Sequence, residues 1–272
     1  MLATATGLIA VVFYSLGTLF QGQDLLQART GTQHETQRRK VLAFALLALV
    51  AHLVNVANTF HTDAGYDFGF FRIATLFSWT IALLVVVSSL RKPLDNLFLA
   101  LFPLAILSII CSLLLPSNST PQSDLGAGVV LHIVLGIIAF SVITIAAVQS
   151  VLVAWLNREL KQKHFSPALQ HMPPLQTLEA LLFELIWAGF FTLLGVIATG
   201  FVFMDDMFAQ HLAHKTFFTI LSTLVFATLL WGRHRLGWRG RTAYRWTLAG
   251  FVGLILAYFG AKFVLELLLE RV

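Results

Sequence analysis

The chain has 272 residues, of which 58% are hydrophobic and only 11% are charged, and its mean hydropathy is +0.82. A soluble globule of this length needs more polar surface than the chain supplies, so the composition predicts an integral membrane protein. The formal net charge of +5 would favour a nucleic-acid partner in a soluble chain. In a membrane protein the positions of the charges are more informative than their sum, and we expect no nucleic-acid partner.

Eight apolar runs determine the predicted fold. A hydrocarbon core about 30 Å thick requires roughly 20 apolar residues of helix. The runs that reach this length are 2–21, 41–60, 72–90, 96–115, 128–156, 178–204, 214–232 and 246–268. We therefore expect an all-α integral membrane protein, a bundle of eight transmembrane helices with short loops that forms a single domain over residues 1–272. The fifth helix should continue past its run as far as Pro167, and Pro173 and Pro174 should precede the sixth.

The basic residues predict the orientation of the spans. Fourteen of the eighteen Lys and Arg residues follow the first, third, fifth or seventh run, whereas the alternate segments carry mostly aspartate. By the positive-inside rule the basic segments are cytoplasmic, so both termini lie on the outer, periplasmic side. This arrangement is typical of a multi-pass protein of the bacterial inner membrane, with the lipid bilayer as its surroundings.

Several ionisable or polar residues fall inside the runs, where they are costly and mark candidate sites. His52, Asn55 and Thr59 share one helical face, which indicates either a stripe that lines a ligand or a buried histidine bonded to a neighbouring helix. His132 has Gly128 and Gly136 one turn to either side, a spacing that fits close helix packing as well as the approach of a flat ligand.

Charged residues near the predicted cytoplasmic boundary have simpler interpretations. Glu179 and Glu184 open the sixth run, where structural anchoring is favoured over proton transfer. His34 is expected in a solvated cytoplasmic loop. The segment LLWGRHRLGWRGR, residues 229–241, places arginines and tryptophans where a span meets the cytoplasm. Topology alone explains those residues but gives no reason for His234 among them.

Three separated segments resemble the cytochrome c assembly superfamily, which includes the CcsA, CcmC and CcmF proteins, in its short eight-span form. MPPLQTLEALLFELIWAGFFTLLGVIATG at 172–200 resembles the family's sequence of proline, acidic residue, Gly-Phe, Leu-Gly and Thr-Gly. The arginine-rich segment and TAYRWTLAGFVGLILAYFGAKFV after it resemble the family's His-x-Arg, Gly-Trp-Arg-Gly and Tyr-Phe-Gly signals. LHIVLGIIAFSVITIAAV at 131–148 resembles the helix that carries an outer histidine.

The resemblance implies a protein that binds or handles haem b without a covalent bond. By matching positions, His52 and His234 are the membrane histidines that ligate the iron, and His132 is the first outer histidine. Arg72, Arg233 and Arg235 are candidates to pair with the haem propionates. Haem and other cytochrome assembly or transporter membrane proteins are the implied partners, and no motif implies catalytic turnover.

Two parts of the family pattern are absent. The segment FVFMDDMFAQHLAHKTF, residues 201–217, contains no tryptophan where the family has a Trp-rich outer loop, and no second outer histidine follows the eighth run's Tyr-Phe-Gly signal. His52 also lies twelve residues beyond Lys40, about 18 Å along a helix, whereas His234 lies at the inner edge. Either these histidines share one iron through a tilt or offset of their helices, or they do not share it. The alternative function is a cofactor-free membrane partner or regulatory subunit, for example in ion homeostasis.

Overall fold

The computed structural model describes residues 2–27, 31–63, 65–115, 119, 121–123, 125–162, 172–204, 213–260 and 263. Its helices are α1 (Leu2–Leu26), α2 (Gly31–Phe60), α3 (Phe70–Ser89), α4 (Phe98–Leu114), α5 (Ala127–Gln162), α6 (Leu175–Phe203), α7 (Ala213–Leu236) and α8 (Arg241–Ile255). A 3₁₀ turn, Asp95–Leu97, precedes α4, and a π-helical segment, Leu256–Gly260, follows α8. Strands β1 (His61–Thr62) and β2 (Gly65–Tyr66) form an antiparallel hairpin after α2.

Seven of the described helices, α1 to α7, are long and apolar enough to cross a membrane. This confirms the prediction of an all-α membrane protein, and the first seven predicted runs form helices of membrane-spanning length. The described part of α8 has 15 residues, and most of the predicted run beyond residue 260 lies outside the described residues. The eighth span and the outward orientation of both termini therefore stay predictions.

Two helices extend well beyond their apolar runs. α5 continues to Gln162, as expected, and residues 163–171 lie outside the described part of the chain. α2 begins at Gly31 and has 30 residues, which corresponds to about 45 Å of helix. The expectation that His34 lies in a loop was wrong, because the polar sequence before residue 41 continues the same helix.

The described helices group into two compact units, of which the first holds α1 to α4. In this unit α1 packs against α2 and α4, and α3 packs against the same two helices, so the four surround one interior. The buried side of α2 recurs every three or four residues, as an amphipathic helix requires. Its members are Val41, Ala45, Ala48, His52 and Asn55. The opposite side exposes Leu46, Leu47, Val50, Leu53 and Val54, which suit lipid.

Contacts at the helix ends fix the first unit. The Arg38 guanidinium donates to the Ser89 carbonyl at 2.6 Å and to the Asp95 carboxylate at 3.3 Å, which ties α2 to the connection between α3 and α4. Past the other end of α2, Tyr66 pairs with Gln122 beside the hairpin. Backbone groups beside both ends of α2 therefore have hydrogen-bond partners.

The second unit contains α6, α7, α8 and most of α5. α7 packs against α6 and α8. The Gln149 side chain on α5 donates to the Leu178 carbonyl on α6 at 3.0 Å. In lipid, small residues drive helix association because they permit close approach, and Gly250 of α8 accordingly lies under the Phe226 ring of α7. The expectation of a single domain over residues 1–272 stays a prediction.

The contact between Gly250 and Phe226 predicts the effect of one added methyl group. A Cβ atom on residue 250 would lie 2.6 Å from the ring of Phe226, which is fully buried. We expect Gly250→Ala to lower the free energy of unfolding by about 1–3 kcal/mol, since overpacking exceeds the gain in helix propensity. Thermal unfolding in detergent, followed by circular dichroism, measures this effect.

Gly195→Ala in α6 is the matched control, because its added carbon meets nothing closer than 3.6 Å. This variant should unfold at or slightly above the wild-type temperature. Equal unfolding temperatures for the two variants would contradict close packing at Gly250.

Candidate functional site

The candidate site in the first unit centres on His52, whose side chain is completely buried. Its Nδ1 atom lies 3.3 Å from the Tyr14 hydroxyl on α1, and the two rings meet edge to face with centroids 5.7 Å apart. Tyr14 is also fully buried and packs its ring against Phe102 of α4. The imidazole therefore lies at a core position of α2 beside Tyr14 of α1, which itself packs against α4.

Two polar atoms on this side of α2 lack hydrogen-bond partners. Seven buried side-chain atoms of the described residues have none, and His52 Nε2 and Asn55 Oδ1 are two of them, three residues apart on one helical face. The Asn55 amide nitrogen, by contrast, donates to the Ala3 carbonyl at 2.7 Å. Burying an unsatisfied polar atom costs about 1–3 kcal/mol, so a ligand atom that paired with either of these atoms would be stabilising.

The tautomer of His52 decides what Nε2 can do. When Nδ1 carries the proton and donates to the Tyr14 oxygen, Nε2 keeps a free lone pair, which is the form in which imidazole ligates a metal. When the Tyr14 hydroxyl donates instead, Nε2 carries the proton. The backbone of Thr75 on α3 also lies close enough to the ring to act as a hydrogen-bond partner, although it does not meet the geometry of a hydrogen bond to Nε2. Tyr14 is thus the residue whose defined contact orients the imidazole.

The predicted stripe of His52, Asn55 and Thr59 is only partly maintained. His52 and Asn55 face the interior of the unit, but the Thr59 hydroxyl donates to its own helix, at the Asn55 carbonyl 2.9 Å away. Tyr14 was not among the predicted site residues, although it is the one hydroxyl-bearing aromatic residue in the first run. A lone tyrosine in an apolar run was the available signal, because its hydroxyl needs a partner when buried.

Arg72, a predicted propionate partner, is committed to other groups. Its guanidinium donates to the Ser112 carbonyl at 2.6 Å and to the Ser112 hydroxyl at 2.9 Å, and it lies 3.8 Å from the Asp67 carboxylate. Asp67 also accepts bonds from the Gly69 backbone and the Ser119 hydroxyl. Arg72 therefore has a structural role between α3 and α4 whether or not a ligand binds.

Short polar side chains continue this α3–α4 contact one turn at a time. The Thr75 hydroxyl lies 3.1 Å from the Ser108 carbonyl, and the Ser78 and Ser108 hydroxyls are 2.5 Å apart. These residues follow Arg72 at three-residue steps, with Ser108 and Ser112 four apart on the partner helix. The sequence shows this spacing, but no partner helix can be assigned from spacing alone.

His132 on α5 is half-buried and has a hydrogen-bond partner on α6. Its Nδ1 lies 3.2 Å from the Thr199 hydroxyl, whose oxygen also reaches the Gly195 carbonyl at 2.8 Å and the Val196 carbonyl at 3.1 Å. When the hydroxyl proton is donated to one of these carbonyls, the Thr199 oxygen accepts from Nδ1–H and Nε2 keeps its lone pair. Gly136, one turn further, allows the Tyr258 ring to approach the same helix.

His234 occupies the last turn of α7 and is exposed. Arg235 next to it is exposed as well, whereas Arg233 lies 4.5 Å above the centre of the Phe183 ring and donates to the Trp238 carbonyl. His52 and His234 lie in different units, and the hypothesis that they share an iron stays a prediction.

Two acidic residues have anchoring roles. Glu179 accepts a bond from the Gly240 backbone nitrogen at 3.1 Å, which holds the turn between α7 and α8 and supports the structural interpretation of this residue. Asp24, buried near the end of α1, lies 2.7 Å from His34 Nδ1 on α2. His34 thus has a carboxylate partner that the predicted solvated loop would not have provided.

Seven membrane-length helices and a buried, partly unsatisfied imidazole define a polytopic all-α membrane protein with a candidate ligand site. The family model for the cytochrome c assembly protein matches residues 41–269. The chain belongs to this family, and it is a multi-pass protein of the inner membrane. At the level of the family it is a haem-related membrane protein.

Individual relatives agree over most of the chain. Inner membrane protein YpjD of Escherichia coli K12 is 28% identical over 263 residues, which cover 96% of this chain and 98% of that protein. Protein HemX of Brevibacillus brevis is 23% identical over 265 residues, 93% of each chain. A 28.8 kDa protein of Azospirillum brasilense is 34% identical over 146 residues, 53% of this chain and 54% of the relative. No solved structure matches the chain.

The Tyr14–His52 contact predicts a measurable loss of stability. Tyr14→Phe leaves the buried Nδ1 without a partner, so we expect the free energy of unfolding to fall by about 1–3 kcal/mol. Tyr244→Phe is the control, because the half-buried Tyr244 hydroxyl makes no hydrogen bond to the described residues and its loss should change stability by less than about 0.5 kcal/mol. Thermal unfolding of both variants in detergent tests this difference, and equal stability would refute the contact.

Proposed function

We propose that this protein binds haem b non-covalently, with the His52 imidazole as an iron ligand. The observation that carries the proposal is the buried Nε2 atom of His52, which has no hydrogen-bond partner among the described residues. Membership of the cytochrome c assembly family supports the same ligand chemistry. When bound, haem supplies a flat apolar macrocycle and a redox-active iron that accepts imidazole nitrogen.

The residues present fit an iron ligand in three respects. Nε2 is the more common metallated nitrogen, and a hydrogen bond from Nδ1 is the usual means of orienting it. In the tautomer that carries the proton on Nδ1, the Tyr14 hydroxyl 3.3 Å away accepts that bond. The aromatic rings of Tyr14 and Phe102 and the apolar residues of the same interior suit a flat apolar group better than they suit a hydrated ion.

The other residues of the predicted haem site differ in whether protein groups already bind them. His132 is half-buried with the Thr199 hydroxyl beside its Nδ1, and His234 is exposed, so each remains a candidate for a second ligand. Arg72 and Arg233 are already held by protein groups, whereas Arg235 is exposed and has none among the described residues. Arg235 is consequently the arginine with the greatest freedom to pair with a propionate.

A second candidate function is that of a cofactor-free membrane partner or regulatory subunit of another membrane system. The absence of tryptophan from residues 201–217 favours it, because that segment replaces the family's Trp-rich outer loop. In this role the chain retains the helical scaffold and binds other cytochrome assembly or transporter proteins. In both roles we propose that the protein binds rather than catalyses.

The absorption spectrum of the purified protein tests haem binding. With added haem we expect a Soret band that depends on the protein, and His52→Ala should reduce haem occupancy by at least about tenfold, because loss of an axial ligand costs more than about 1.4 kcal/mol of binding. His61→Ala is the control, since His61 is exposed on the hairpin. A Soret band unaffected by His52→Ala would exclude His52 as a ligand, and no spectral shift with haem would favour the cofactor-free role.

We also propose that the segment after Gly240 crosses the membrane as an eighth span, with both termini outside. Alkaline phosphatase fused after residue 272 should then be active, because this enzyme requires export, whereas a fusion within residues 28–30 should be inactive. A green fluorescent protein fused at the same positions provides the reciprocal control, since it is fluorescent only in the cytoplasm. An inactive C-terminal phosphatase fusion would indicate seven spans.

A further inference from the structure

We propose that the turn between α7 and α8 binds the phosphate of an anionic phospholipid headgroup. This surface, the arginine turn, consists of four exposed arginines: Arg235, Arg239, Arg241 and Arg245. The proposal is independent of haem binding, because it concerns a side-chain cluster that neither the candidate iron ligands nor their partners explain. Arg235 is the one residue with a possible part in both.

The arginine turn is a defined structure. Gly237 and Gly240 adopt positive φ angles of 67° and 51°, which favour glycine, and the Gly240 nitrogen donates to Glu179. The Trp238 ring lies against Gly232, where a side chain would collide with it, and stacks on Trp246 with centroids 5.3 Å apart. Contacts with Glu179, Gly232 and Trp246 therefore hold the backbone that carries the arginines.

The described residues of the unit do not neutralise the charge of the turn. Arg233 is used internally, against Phe183 and the Trp238 carbonyl, but the four exposed arginines form no ion pair with any described residue. The Oε1 atom of Glu179, the acid that contacts the turn, already accepts the Gly240 bond. Arg241 and Arg245 are also four residues apart on α8, where like charges repel. A bound anion would relieve this repulsion.

The position of the turn identifies the source of the anion. α7 is a membrane-length helix that ends at Leu236, so the next residues lie at the boundary between hydrocarbon and water. The stacked tryptophans suit this interface. Lipid phosphates are concentrated at the same depth, and the arginine fork matches a phosphate with two parallel hydrogen bonds. A phospholipid fits the location better than a phosphate compound dissolved in water.

Native mass spectrometry of the detergent-solubilised full chain tests the proposal with cardiolipin and phosphatidylcholine as probes. An arginine near an anionic surface contributes about 1 kcal/mol, or roughly fivefold in affinity. We expect wild type to retain cardiolipin in preference to phosphatidylcholine. The triple variant Arg239→Gln/Arg241→Gln/Arg245→Gln, which leaves Arg235 in place, should bind cardiolipin at least about tenfold more weakly.

A charge-matched control removes three exposed cations from the first unit: Arg39→Gln/Lys40→Gln/Arg91→Gln. It should change cardiolipin affinity by less than about threefold, since general attraction is weak compared with a fixed site. If the triple variant unfolds at a lower temperature than wild type, Arg245→Gln alone replaces it, with an expected loss of roughly three- to fivefold.

Three outcomes would overturn the proposal. The first is equal loss of cardiolipin from the variant and from its charge-matched control, and the second is equal retention of cardiolipin and phosphatidylcholine by wild type. The third is displacement of cardiolipin by excess glycerol 3-phosphate, which would assign the arginine turn to a water-soluble phosphate. None of these results depends on whether haem binds, so failure here and failure of the haem proposal are distinguishable.

Discussion

Hydrogen bonding inside an apolar bundle is the constraint on which the rest of this structure depends. Buried hydroxyls of the described helices commonly return to a carbonyl one turn earlier, as Thr144, Thr223 and Thr247 do. Such bonds satisfy a polar group without adding a contact between helices. Longer or more rigid side chains cannot bond to a carbonyl of their own helix in this way and must find partners on another helix. His52, Asn55 and Trp79 are examples. They determine how α1, α2 and α3 lie in the first unit.

The same constraint separates structural residues from candidate ligands. Arg72, Glu179 and Arg233 are polar or charged groups whose hydrogen-bonding capacity is used by the protein. His52 uses one nitrogen and leaves the other without a partner at zero exposure. A histidine that only stabilised the bundle would be expected to use both nitrogens, and this difference is the physical reason for proposing a ligand at His52.

Much of the architecture could be predicted from the sequence, because span length and hydropathy are local properties. The first seven runs correspond to helices, and Pro173 and Pro174 precede α6 as expected. The start of α2 could not be placed in this way, since a polar sequence outside the membrane gives no hydropathy signal even when it is helical. The lone histidine in the second run was enough to single out His52, whereas its partner Tyr14 depends on which helices are neighbours. That is a tertiary property that a single sequence does not contain.

The polar contact between α3 and α4 has a consequence for how the chain enters the membrane. Arg72, Thr75 and Ser78 bond to Ser108 and Ser112, so the polar groups of this hairpin are matched within the hairpin itself. Two helices joined by a short connection can therefore leave the insertion machinery together, with their polar surfaces facing one another and only apolar side chains facing lipid. We therefore expect α3 and α4 to enter the membrane as a pair.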